Sequence, residues 1–86
     1  MHAIIEGRVQ GVGFRATAKT FADRLKITGY ARNLSNGSVE IIAQGQKKDL
    51  ETFNDLLKNA FGKDHIHDIS LNFFLVSESF DDFKIL

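Results

Sequence analysis

Two glycines two residues apart, with an arginine close behind, stand in the run Gly7-Arg8-Val9-Gln10-Gly11-Val12-Gly13-Phe14-Arg15. Glycine lets the main chain turn tightly and approach a ligand with no Cβ in the way. The residues before the run, Ala3-Ile4-Ile5-Glu6, alternate as a strand does, and those after it recur with helical period. A loop feeding a helix start presents N–H groups that have no partner inside the helix, and the helix dipole adds positive potential there. Such a loop is suited to an anion, and to phosphate in particular. Arg15 falls in the first helical turn, where its planar fork can grip two oxygens of one anion. Without an anion, an arginine at that position opposes the dipole. The segment therefore reads in one of two ways. It is a phosphate cradle built by Gln10, Gly11, Val12, Gly13, Phe14 and Arg15, or it is a tight strand–helix turn with a surface arginine, because short glycine motifs recur by chance.

A second polar constellation lies in Gly29-Tyr30-Ala31-Arg32-Asn33-Leu34-Ser35-Asn36-Gly37-Ser38-Val39-Glu40, which reads as strand, turn, strand. Asn33 carries an amide that both donates and accepts. At a strand end beside a phosphate pocket it can hold a water; it can equally cap the turn. Alternation puts Arg32 on the face opposite Asn33, as a solvated side chain. Arg8, at the end of the first strand, is placed as support for the site. His65 and His67 read as two imidazoles on one strand face, a spacing that can bind a metal. No third ligand accompanies them, so a solvent-exposed pair is the expectation and no metal site is assigned.

These residues need elements to position them. Ala3 to Val9 reads as a strand. Phe14, Ala18, Phe21, Ala22 and Leu25 form one stripe of an amphipathic helix that closes at Arg24 and Lys26. Ile27 to Leu34 is a second strand and Ser38 to Gln44 a third, joined by the Asn36-Gly37 turn signal. A second helix runs from Asp49 to Phe61 on the stripe Leu50, Phe53, Leu57, Ala60 and Phe61, and Gly62-Lys63 ends it. Ile66 to Val76 reads as one long strand or two short ones, Ser77-Glu78-Ser79 as a turn and Phe80 to Leu86 as a last strand. The order β-α-β-β-α-β plus a C-terminal strand predicts an α+β sandwich, a split β-α-β repeat with an antiparallel sheet and two helices on one face. Right-handed crossovers give the order 4-1-3-2 for the main four strands; the fifth has no assigned place. The first and second strands then end at the same edge, so Arg15 and Asn33 converge unless the register slips.

With 86 residues the chain is read as a single domain, residues 1–86. Eleven basic and eleven acidic residues leave no net charge, which argues against a general nucleic-acid binder. The third strand has no aromatic residue, which also argues against a stacking platform for RNA. No cysteine is present, so there is neither a disulfide framework nor thiol chemistry. The longest apolar runs, such as Phe73-Phe74-Leu75-Val76, are far too short to span a membrane. The N-terminus enters a strand pattern directly, so no signal peptide is expected and a cytoplasmic location is the default.

The cradle motif taken with Gly29, Arg32-Asn33 and Asn36-Gly37-Ser38-Val39-Glu40 resembles the acylphosphatase family, and the order of elements fits over nearly the whole chain. The resemblance implies a ferredoxin-like fold and hydrolysis of the carboxyl–phosphate anhydride of small acyl phosphates. It implies that Arg15 and the loop Gln10–Arg15 hold the phosphoryl group and that Asn33 orients the attacking water, with no metal or other cofactor. The expected partner is a small acyl phosphate alone, acted on by a monomer. The alternative is a non-catalytic ferredoxin-like module that binds a phosphorylated ligand. The chain departs from the family pattern at Lys26, where a glycine is usual, and after Gly62, where proline often follows.

Overall fold

The computed structural model describes residues 1–73 and 78–86. Along the chain run β1 (His2–Gly7), α1 (Phe14–Leu25), β2 (Thr28–Asn33), β3 (Val39–Gln44), α2 (Lys47–His65), β4 (Ile66–Asn72) and β5 (Phe83–Ile85). The part of the expected long strand from Phe74 to Val76, and Ser77 of the expected turn, lie outside the described residues. The strands form one sheet in the order β4-β1-β3-β2-β5. The first four places are those that right-handed crossovers require, and all pairs among them are antiparallel. The fifth strand joins parallel to β2, with Gly29 opposite Phe83 and Ala31 opposite Ile85, so the sheet is mixed.

Strand alternation divides the sheet into two faces. Ala3, Ile5, Ala31, Val39, Ile41 and Ala43 are buried on one face, where both helices pack. From α1 come Phe14, Ala18 and Ala22, and from α2 come Leu50, Phe53 and Leu57. Ala18 and Ala22 are fully buried, and their small side chains let α1 lie close against the sheet. Phe83 of β5 is also fully buried, edge-on to Phe53 at 6.0 Å between ring centres. The other face carries Glu40, which pairs with both His2 and Arg32, while Arg32 lies over the Tyr30 ring. Arg32 is thus on the face expected, but held by an ion pair and not simply solvated.

Three local features shape the region around the glycine loop. The register of β1 against β4 shifts between Glu6 and Gly7. A Cβ on Gly7 would lie 2.1 Å from the main-chain oxygen of His65, so only glycine fits this approach. The next residue, Arg8, donates its N–H to that same oxygen at 2.7 Å, and His65 Nδ1 lies 3.1 Å from the Arg8 oxygen. The expected pair of imidazoles on one strand face is therefore not formed. His65 ends the α2 segment and is tied to Arg8, whereas His67 lies in β4 and is exposed. The helix breaks at Gly62, as its sequence signal predicts, but one further turn carries the chain to His65.

At the end of α1, Lys26 takes the left-handed conformation with φ 57°. Its N–H closes the helix onto Ala22 and Asp23. It is the one non-glycine residue with positive φ among those described.

Candidate active site

Gly11 and Gly13 both have positive φ, 78° and 80°, and at neither would a Cβ meet anything within 4 Å. Conformation, not crowding, selects glycine there. Gly13 is the N-cap of α1 and offers no side chain to the free N–H groups. The first helical hydrogen bond runs from Thr17 N–H to the Gly13 oxygen at 3.0 Å, so the N–H groups of Phe14, Arg15 and Ala16 have no partner within the helix. The first turn contains no acidic residue. Beside it lies a cavity of about 250 Å³ lined by Val9, Gly11, Gly13, Phe14, Arg15, Ala16 and Ile85. No Asp or Glu is among these residues, so the positive end of the helix dipole and the guanidinium both favour an anion there.

The position of Arg15 is fixed from β5. Its Nη1 donates to the main-chain oxygen of Leu86 at 2.7 Å. One turn along the same helix face, Lys19 Nζ donates to the Phe83 oxygen at 2.7 Å. On its other side β5 bonds to β2, through Gly29 N–H to Asp82 and Leu86 N–H to Ala31, each at 2.9 Å. Nothing in residue type signals these anchors, because their acceptors are main-chain oxygens. A guanidinium has five N–H donors, and the Leu86 bond uses one.

Asn33 is the last residue of β2, opposite Val39, and is exposed. Its amide has no hydrogen-bond partner among the described residues. Turn capping falls to Asn36, whose Oδ1 accepts the Ser38 N–H at 3.0 Å. The positive φ in that turn belongs to Gly37. Gln10, at the other end of the cradle, donates its amide to the oxygens of Leu34 at 2.7 Å and Ser38 at 2.9 Å. The cradle is therefore bound to the residue immediately after Asn33. On the other side, the Arg15–Leu86–Ala31 chain reaches β2 two residues before Asn33, ~6.6 Å along the strand. Asn33 thus lies between the two points at which the cradle and the arginine touch β2 and its hairpin. Of the expected residues, Gly11, Gly13, Phe14 and Arg15 line the cavity. Gln10, Val12 and Asn33 do not.

Comparison with known proteins gives the chain a family and a fold. The acylphosphatase family profile matches residues 1–85. An acylphosphatase of Dehalococcoides mccartyi strain CBDB1 is 40% identical over 86 residues, covering 99% of this chain and 94% of that one. The chain belongs to the acylphosphatase family. The crystal structure of an acylphosphatase from Bacillus subtilis superposes with a TM-score of 0.90 at 36% identity, over 99% of this chain and 94% of that one. The same fold occurs inside a larger protein: full-length HypF, solved in a phosphate- and nucleotide-bound form, gives a TM-score of 0.79 at 29% identity, with 99% of this chain matching 11% of that one.

Other polar groups of this acylphosphatase-family chain lie away from the loop. A second cavity of about 450 Å³ sits between α2 and β4, lined by Lys58, Gly62, Lys63, Ile66, His67, Asp68 and Ile69, and holds none of the expected site residues. Among the described residues no group of three or more His, Cys, Asp or Glu could hold a metal ion. No helix among them is long and apolar enough to cross a membrane.

Proposed function

We propose that the chain hydrolyses small acyl phosphates, converting R–CO–O–PO₃²⁻ and water to R–COO⁻ and H₂PO₄⁻. The observation that carries this reading is the helix start at Gly13. It is uncapped, free of acidic residues and faced by an anchored arginine, in a chain of the acylphosphatase family. Main-chain N–H groups of the loop from Gln10 to Arg15, with the Arg15 fork, hold the phosphoryl oxygens and stabilise charge as it develops on them. The amide of Asn33, without a hydrogen-bond partner among the described residues, orients the attacking water. The carboxylate leaving group is a weak base and needs no general acid. Transfer from such a donor is chiefly a matter of positioning and electrostatics. No covalent intermediate is invoked, because neither motif contains a His, Cys or Asp–His pair; the water's protons pass to the phosphoryl oxygens.

The test is turnover of benzoyl phosphate by wild type and Arg15→Ala. The expected result is hydrolysis by the wild type and a loss of at least ~10²-fold in kcat/KM in the variant, the scale of one lost preorganised donor. Binding of inorganic phosphate without hydrolysis of any acyl phosphate would instead make the chain a phosphorylated-ligand-binding module.

A further inference from the structure

The cradle accounts for the phosphoryl half of an acyl phosphate and leaves the acyl half unassigned. Among the described residues, the large apolar side chains that remain well exposed are Val12 at 41%, Phe73 at 48%, Ile85 at 43% and Leu86 at 58%. Three of these four are a cavity residue or sequence neighbours of cavity residues. Val12 stands between the two cradle glycines, Ile85 lines the cavity, and Leu86 accepts the Arg15 hydrogen bond. Exposed apolar groups gathered at one place mark a surface that meets an apolar partner.

Strand parity explains how Ile85 comes to be there. Phe83 and Ile85 project from the same face of β5, toward the helices. Phe83 is buried in the core, whereas Ile85, two residues on, passes beyond the core edge and reaches the cavity mouth. It is held on both sides, by the Lys19 bond to Phe83 and the Arg15 bond to Leu86. Gly11 and Gly13 offer no side chain, and Val9 and Phe14 are buried, so Ile85 is the large exposed apolar group in the cavity lining.

We propose that Ile85 is a specificity-determining residue. It forms an apolar shelf for the hydrocarbon part of the acyl group, so the site favours larger apolar acyl phosphates over small or polar ones. This inference rests on the acyl phosphate reading given above.

The experiment compares kcat/KM for benzoyl phosphate and acetyl phosphate in wild type and Ile85→Ser. Benzoyl phosphate carries a large apolar ring on its acyl carbon, and acetyl phosphate a single methyl group. The expected result is a loss of roughly 10-fold on benzoyl phosphate, the scale of a lost apolar contact in a specificity pocket, and of less than about 3-fold on acetyl phosphate. The inhibition constant of inorganic phosphate should stay within about 2-fold, since Ile85 does not touch the phosphoryl group. Ile85→Val, one methylene smaller, should keep benzoyl phosphate within about 4-fold of wild type. Ile85→Thr, β-branched as a strand prefers, repeats the comparison if Ile85→Ser does not fold. An equal loss on both substrates would mean that Ile85 acts through the Arg15–Leu86 contact, and an unchanged ratio that the shelf is not used; either overturns the proposal. If the wild type hydrolyses neither substrate, the underlying reading fails and the shelf goes with it.

Discussion

Arg15 and Leu86 are joined by a 2.7 Å hydrogen bond from Nη1 to the main-chain oxygen, across 71 residues of sequence. The bond turns a flexible side chain into a positioned one before any anion arrives. Arg15→Ala should therefore lower kcat/KM by at least ~10²-fold without unfolding the protein. Arg15→Lys should also be poor, because an ammonium on a flexible stem cannot hold Leu86 and two phosphoryl oxygens as a fork does. Steady-state assays beside circular dichroism spectra check both. More than about a tenth of wild-type activity in Arg15→Ala would remove it from the site, on that donor-loss scale.

Asn33 and Asn36 should separate chemistry from stability. Asn33→Ala should lower kcat strongly while the inhibition constant of phosphate stays within a few-fold, because a residue acting on the nucleophile is felt in the transition state and hardly in the anion complex. Asn36→Ala loses the acceptor for the Ser38 N–H. It should destabilise by about 1 kcal/mol and leave kcat per folded molecule nearly intact. Kinetics paired with thermal melts decide; the opposite pattern would exchange their roles.

Inorganic phosphate should stabilise the fold by occupying the cradle. At a hundred times its dissociation constant the gain is about 2.7 kcal/mol, seen as a rise in melting temperature. Arg15→Ala should lose most of that rise, and EDTA should change neither stability nor activity. Activity lost in EDTA and restored by a divalent ion would contradict the proposed mechanism.

Lys26 holds φ 57° at the end of α1. A side chain in that conformation costs about 1 kcal/mol relative to glycine. Lys26→Gly should therefore raise stability by roughly that amount, and the melting temperature by about 4–8 °C for a domain of this size. Denaturant titration gives the same quantity independently. A loss of stability would mean that glycine's extra freedom in the unfolded chain outweighs the relieved strain.

Glu40 links acid stability to the open face of the sheet. Burial raises its pKa, but hydrogen bonds from His2 and Arg32 and their charges outweigh burial and hold it below the ordinary carboxylate value. A carboxylate depressed in the folded state stabilises above its unfolded pKa, near 4.5. That contribution disappears as the pH falls through the folded value. Glu40→Gln should be less stable than wild type at pH 7 by about 1 kcal/mol. Its melting temperature should also fall less steeply below about pH 4.5, the unfolded-state value from which the linkage begins. Parallel curves for the two proteins would show that Glu40 is not linked to folding.

The order of the four main strands could be read in the sequence because the pattern of each segment agrees with its place: period two in the strands, 3.6 in the helices, and glycine at Gly62 where the helix breaks. The glycine loop is legible for the same reason, its glycines standing where strand pattern gives way to helix pattern. What the sequence does not disclose is how distant segments meet. A three-residue parallel strand at a sheet edge carries no turn signal, so β5 had no assigned place, and with it went the Arg15–Leu86 contact and the position of Ile85. His65 and His67 were misread because alternation was extended through a residue that completes a turn. Arg32 looked solvated because its partner Glu40 lies on the neighbouring strand, where pairing depends on register and not on spacing.

The placement of β5 also sets the order in which the molecule can become competent. Arg15 has no anchor until residues 83–86 have settled against β2, and closing a loop across 71 residues is slow compared with the local contacts of helices and hairpins. On a ribosome, the other four strands and both helices would leave the exit tunnel first. A three-residue edge strand is also among the first elements to fray. Release of its last residues, beyond the buried Phe83, would free Arg15 from its anchor while the core stays folded, so inactivation on heating should precede the melting of the helices.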